Sequence, residues 1–438
     1  MRSFSIVQRT LVVAALLLSP LFLFAQAPGP SLSLRDAEAM ALKNHPQVLA
    51  SQALSLEANQ ITREARAAYY PVLNGDVTGG QANRGARLGA GVLNDPSLFS
   101  HFGTGVSLSQ LITDCGRTSN LVANAKFGAA ARQQDYRATR YDIVLGVDQA
   151  YYDTLLAEQL VKVSEETVKT RQTIVDQVSQ LFKNKLKSQV DLSFAQVNLS
   201  DAKLMLLRAN NRLTAAYAAL GQALGTQNAI RYQLADQPPP PNPPDSVQPL
   251  IDQAYRDRPE LASMRLQQEA AQKFAYAERD LKRPSVSLMA VGGALPYIRP
   301  GNTNSDIPGA YESAAINVHI PVFNGHLFSA RRQAAEYQLE AVKQRARDLQ
   351  NSIARDVRAA WARARTAHEA IGATEELLQQ ANLALSLAQG RYQLGLASIV
   401  ELTQAQLGQT QAEVENVTAK YDYEQAYAAL QYTLGALR

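Results

Sequence analysis

Phe102-Gly103-Thr104-Gly105-Val106-Ser107-Leu108-Ser109-Gln110-Leu111-Ile112-Thr113-Asp114-Cys115-Gly116-Arg117 carries one periodicity and ends where another begins. Phe102, Thr104, Val106 and Leu108 fall on one side of an extended chain, Gly103, Gly105, Ser107 and Ser109 on the other. One apolar face and one small or polar face suits a barrel strand with lipid outside and water inside. About ten residues is also the length a tilted strand needs to cross a bilayer. Beyond the turn, no proline occurs from Arg117 to Phe182, and a helix of that length reaches roughly 100 Å. Val147, Thr154, Val161, Val168, Val175 and Phe182 fall seven apart, beside a stripe of small residues, Ala150, Ala157 and Ser164. A sustained seven-residue repeat predicts helices supercoiled against one another, with the small residues allowing close approach. A return helix follows, with Val190, Val197 and Leu204 as its apolar stripe.

All of this is written twice. Asn44-His45-Pro46-Gln47-Val48 answers to Asp257-Arg258-Pro259-Glu260-Leu261 at a shift of 213, which also carries Pro71 to Pro284 and Gly79-Gly80 to Gly292-Gly293. Further on the shift is 210: Asp114 maps to Asn324, Val147 to Val357, Tyr151 to Trp361, Phe182 to Tyr392, Asp191 to Glu401 and Leu224-Gly225 to Leu434-Gly435. The loss of three residues falls between Gly80 and Leu108, at a loop tip. The second helix stripe is Val357, Ala364, Ile371, Leu378, Leu385 and Tyr392, with return positions Val400, Leu407 and Val414. Each copy opens with a helical stretch, 32–69 in the first, which Pro71 stops. The expected organisation is a first repeat over 28–225 with strands at about 71–82 and 102–113, a connector over 226–245, and a second repeat over 246–438 with strands at about 285–295 and 311–323. Gln237-Pro238-Pro239-Pro240-Pro241-Asn242-Pro243-Pro244 can be neither helix nor central strand, so the connector is stiff and extended.

Composition removes other classes. At 438 residues the chain can bury a large core without disulfides, and its single cysteine, Cys115, excludes a disulfide framework and a four-cysteine zinc site. Arg2 and Arg9, the apolar run from Leu11 to Phe24 and Ala25-Gln26-Ala27 make a three-part export signal over 1–27. Without Arg2 and Arg9, the 43 basic residues become 41 against 39 acidic, too balanced for nucleic acid to be a partner. A mean hydropathy of −0.20 excludes a bundle of apolar membrane helices, although alternating barrel strands are hidden in such an average. No phosphate loop, nucleophile elbow or His-Glu metal helix is present. The chain is therefore expected to be no enzyme, with no catalytic residue, cofactor or metal site.

In this order, and in duplicate, these features resemble the TolC family of outer-membrane efflux proteins over essentially the whole mature chain. The marks are Asp36-Ala37-Glu38-Ala39 with Asn44-His45-Pro46, the strand closes ending at Cys115-Gly116 and at Val318-His319-Ile320-Pro321-Val322-Phe323-Asn324-Gly325, and the hairpin exits Ser188-Gln189-Val190-Asp191-Leu192 and Ser398-Ile399-Val400-Glu401-Leu402. The resemblance implies a mainly α chain. Its duplicated long hairpins form an α-barrel tunnel in the periplasm, and its four strands complete a 12-strand β-barrel in outer-membrane lipid as a homotrimer. Closure by oligomerisation agrees with elementary physics, because an open sheet edge is not tolerated in lipid.

The resemblance also implies where function sits. Asp191 and Glu401 occupy the acidic positions of a periplasmic entrance ring, which attracts cations and is blocked by multivalent ones. The family's second acid is replaced here by Gln404. Tyr392 matches a tyrosine that tethers the inner hairpin, through an expected hydrogen bond to Asp191. The family's tether arginine falls on Ala397, so the expectation is either a more weakly held closed state or Lys187 as its substitute. Leu186, Gly395 and Leu396 at the hairpin tips are expected to dock a periplasmic adaptor, which joins an inner-membrane pump. The conduit is expected to serve small-molecule efflux, with type I protein secretion as the alternative and a periplasmic coiled-coil adaptor as a more distant one.

Overall fold

The computed structural model describes residues 31–81, 100–226, 231–299 and 309–437. The export signal expected over 1–27 lies outside these residues, as do residues 82–99 within the Gly80–Leu108 stretch that carries the three-residue difference between the copies.

The first repeat runs β1 (Ser31–Leu32), α1 (Leu34–Asn44), α2 (Pro46–Ala67), β2 (Val72–Gly80), β3 (Ser100–Thr113), α3 (Arg117–Lys183) and α4 (Gln189–Ala223). After β4 (Gln233–Leu234), the second runs α5 (Gln248–Asp257), α6 (Pro259–Asp280), β5 (Ser285–Arg299), β6 (Ala310–His319), α7 (Leu327–Gln393) and α8 (Ile399–Thr433). Two expectations need correction. Residues 32–69 are not one helix, because Pro46 holds His45 at φ −68 and ψ 125 and starts a new helix there. The strand expected over 311–323 stops at His319, because Pro321 has no N–H to continue a ladder. The short parallel pair β1–β4, which ties the connector to the start of the chain, carries no sequence signal.

β2, β3, β5 and β6 form one antiparallel sheet in that order, with the two repeats joined through β3 and β5. The register keeps the faces apart: Leu73 lies opposite Leu108, Leu108 opposite Ala290 and Ala290 opposite Ala314. On the reverse face Asn74, Ser107, Val291 and Ser313 form the matching row. Among the described residues β2 and β6 are each paired on one side only.

α3 and α7, 67 residues each, are clad differently along their lengths. Near the sheet, α3 lies between α2 and α6, and α6 packs on α7. Ser55 of α2 donates to Gln133 at 2.8 Å, and Asn124 donates to the Ala270 carbonyl at 2.8 Å. Toward the tips, α4 and α8 take over, with α3 packed on both. The core is densest at mid-height, around Val147, Tyr151, Leu155, Leu220 and Leu224 in one repeat and Ile353, Val357, Ala364 and Leu430 in the other. The connector is strapped to this level by side chains donating to its carbonyls: Tyr217 to Tyr232, Tyr151 to Ala235, Tyr423 to Pro241 and Trp361 to Pro244, at 2.6–2.9 Å.

The return helices end on the kinks. Gly225 (φ +72) closes α4 against the backbone of His45, and Gly435 (φ +70) closes α8 against Asp257 and Arg258. A Cβ on Gly225 would stand 2.8 Å from His45 Cα. Gly225→Ala is therefore expected to destabilise the protein by about 1–3 kcal/mol, seen as earlier thermal loss of helical circular dichroism.

Asp148, 3% exposed, faces Glu38 across the α1–α3 contact. Burial and then the Glu38 charge raise its carboxyl pKa, and burial raises that of Glu38 too. The folded pair retains protons that the unfolded chain releases from about pH 4. Stability is therefore expected to fall as pH rises from there through the raised folded value. Asp148→Asn should raise the melting temperature at pH 8, and by less at pH 5. Glu424, pushed up to about 7 mainly by burial, acts in the same direction, so the variant should weaken the pH trend without abolishing it.

Candidate functional site

Both hairpin tips end their outgoing helix in the same way. The Leu186 amide donates to the Leu181 carbonyl and the Lys185 amide to Phe182, while Leu396 donates to Arg391 and Gly395 to Tyr392, at 2.8–3.1 Å. This closure needs a left-handed residue. Gly395 adopts it at φ +75, and Lys185 adopts it at φ +58 despite its side chain. Leu186 and Leu396 are left exposed at the two turns.

The return helices start on serine caps, and here the two acids diverge. Asp191 closes a capping box: its carboxylate accepts from the Ser188 amide at 2.9 Å and hydroxyl at 2.8 Å, while the Asp191 amide donates to Ser188 Oγ at 3.1 Å. The bond from the Ser188 amide, helped by the Ser188 hydroxyl and the Lys187 charge, holds the Asp191 carboxyl below its ordinary range. Glu401 gives its amide to Ser398 at 3.2 Å, but its carboxylate turns instead to Arg391, Nε to Oε1 3.1 Å. Arg391 also donates to the Leu396 carbonyl at 3.4 Å. It thus bridges the ends of α7 and α8. Sequence reasoning did not pick out Arg391; the available signal was a basic residue in the last turn of α7 facing an acid in the first turn of α8.

Tyr392 lies between the two hairpins. It packs with Val178 and Leu192 of the first and Ile399 and Leu402 of the second. The expected hydrogen bond to Asp191 is not made: the Tyr392 hydroxyl is buried without a hydrogen-bond partner, because the capping box turns the Asp191 carboxylate back on Ser188. The acid is still close enough that its charge, after burial, raises the phenol's pKa. Lys187 supplies the contact, with Nζ 4.1 Å from the Tyr392 ring centroid. The structure thus brings Lys187, Asp191 and Tyr392 together and places Glu401 in a separate ion pair.

Elsewhere, Cys115 is exposed at the strand-to-helix turn at φ +54, and its carbonyl accepts from Arg283 at 3.0 Å. Among the described residues no group of three His, Cys, Asp or Glu side chains is placed to hold a metal ion, and no helix is long and apolar enough to cross a membrane.

The family profile described as outer membrane efflux protein matches twice, over residues 39–226 and 250–436. Outer membrane protein TolC of Vibrio cholerae is 24% identical over 408 residues, covering 91% of this chain and 89% of that one. Outer membrane efflux protein BepC of Brucella suis is 23% identical over 430 residues, covering 98% and 91%. The crystal structure of a membrane protein from Pseudomonas aeruginosa superposes with a TM-score of 0.81 at 22% identity, covering 92% of this chain and 91% of that one.

The tip geometry separates two variants. Tyr392→Phe removes a hydroxyl with no hydrogen-bond partner and should leave amide hydrogen exchange in the first turns of α4 and α8 within about twofold of the parent. Lys187→Ala removes a cation–π contact of about 0.5–1 kcal/mol and should speed that exchange about two- to fivefold.

Proposed function

This chain belongs to the outer membrane efflux protein family, and from that premise we propose that it works as a homotrimeric conduit whose entrance is set by the hairpin tips. The observation that carries the reading is the sheet with two one-sided edges, β2 and β6. Unpaired backbone groups in hydrocarbon cost several kcal/mol each, so four strands need neighbours. Pairing β6 of one copy with β2 of the next closes three sheets into 12 strands. The face carrying Leu73, Val77, Leu108, Leu288 and Ile316 then meets lipid, and the one carrying Asn74, Ser107 and Ser313 meets water. The helices point to the same assembly, because Val190, Val197 and Leu204, with Val400 and Leu407, are exposed in the single chain and are suited to pack between copies.

At the tips, Asp191 and Glu401 would supply six carboxylates to the entrance, but not as equals. Asp191 is held ionised by the helix start, whereas Glu401 shares its charge with Arg391. The clasp between hairpins is Lys187 on Tyr392. Leu186, Gly395 and Leu396 present the surface that a periplasmic adaptor would grip, and that adaptor would join an inner-membrane pump supplying the work. The cargo we propose is small molecules, with type I protein secretion as the alternative that the identity of the pump would decide.

Planar-bilayer recordings of the trimer test this. Asp191→Asn combined with Glu401→Gln should abolish cation selectivity and sensitivity to trivalent cations. Arg391→Ala should strengthen both about two- to fivefold by freeing Glu401. Unchanged selectivity in the double variant would sink the acidic entrance, and a monomer without conductance would sink the conduit.

A further inference from the structure

Arg171 lies well down α3, where α4 and α8 both pack against it, and only 6% of it is exposed. Its Nη2 donates weakly to Thr410 Oγ1 at 3.4 Å, and its Nη1 is fully buried with no hydrogen-bond partner. Burial, with no charge to offset it, holds the guanidinium below its usual range, at about 10, so it remains protonated at neutral pH. A cavity of about 280 Å³ opens on it, lined in part by Asn198 and Met205 of α4 and Gln411 of α8. One turn nearer the tip, Gln406 is 2% exposed and its Nε2 is also without a partner. The acid nearest the cavity is Asp201, at its exposed rim, and it forms no ion pair with Arg171.

We propose that this cavity between the two hairpins binds a small monovalent anion of the chloride class, held by the part of the Arg171 guanidinium that faces the cavity and by the second amide proton of Asn198. Water can satisfy a lone N–H donor but does not neutralise a buried cation, and a buried charge without a counter-charge is strongly unfavourable. The cavity has ample room for a halide with water beside it. One uncompensated positive charge, with a carboxylate at the rim, selects a monovalent anion over phosphate or sulfate. The bound ion joins α3 to α4 and neutralises the guanidinium whose other side reaches Thr410 of α8, steadying the seam between the hairpins above the tips.

The full-length protein in detergent is melted at constant ionic strength while sodium gluconate is replaced by sodium chloride or bromide. The melting temperature is expected to rise saturably, by about 2 °C. Arg171→Met, which removes the cation but keeps the volume, should lose the halide response and be at least as stable as the parent in gluconate. Crystals of the parent in bromide should show an anomalous peak in the cavity within about 4 Å of the Arg171 guanidinium. An equal halide response in Arg171→Met, a carboxylate of a neighbouring copy occupying the cavity, or a bromide peak without a saturable melting response would each overturn the proposal. If Arg171→Met fails to fold, the parent's bromide map and titration still decide it.

Discussion

A single helix of 67 residues cannot be stable in water by itself, since most helical stability comes from burying one face against something else. α3 and α7 set that problem, and nearly every other element answers it. Their upper halves are covered by α2 and α6, their lower halves by α4 and α8. The changeover lies at mid-height, where the apolar core is densest and the proline-rich connector is strapped across by Tyr151, Tyr217, Trp361 and Tyr423. Alanine and serine at the contacts, such as Ala157 and Ser164, both fully buried, allow the helices to lie close over this length.

The duplication has a mechanical consequence. Two motifs that look unrelated, the His45-Pro46 kink and the Leu224-Gly225 helix end, meet in space, and their copies at Arg258-Pro259 and Leu434-Gly435 meet in the same way. Each hairpin is thereby anchored at the kink and extends freely to its tip. The tips themselves rest on a small apolar cluster, one cation–π contact and one ion pair, far less than holds the middle. For an outer-membrane channel, which is not an enzyme, that gradient of packing puts the compliant part at one end.

The parts legible in the sequence were those governed by local periodicity. The long helices, the paired strands, the extended connector and the second copy all follow from spacing that one chain cannot disguise. The return-helix stripes were less secure. Val190, Val197 and Leu204 have the right spacing, yet within the chain α4 buries Leu192, Ala195, Leu199 and Ala202 instead. Both stripes are apolar, and a helix with two such faces does not say which one its own chain will use. At the tip, the positions of Asp191, Tyr392 and Lys187 were legible, but their bonding was not. Capping is a contest for one carboxylate, and Ser188, three residues away, outcompetes a phenol on another helix.

The sequence by itself determined the elements and their order, because backbone sterics and the burial of one face act over a few residues at a time. It also determined that four crossing strands leave two edges unpaired, since strand number is a matter of counting. Only the tertiary structure decided which faces meet, that Arg391 takes the Glu401 charge while Lys187 sits on the Tyr392 ring, and that Arg171 is buried without a counter-charge. Those outcomes depend on distances of 3 to 4 Å between side chains on different helices, as for Arg391 with Glu401 and Arg171 with Thr410, which spacing along one helix does not encode.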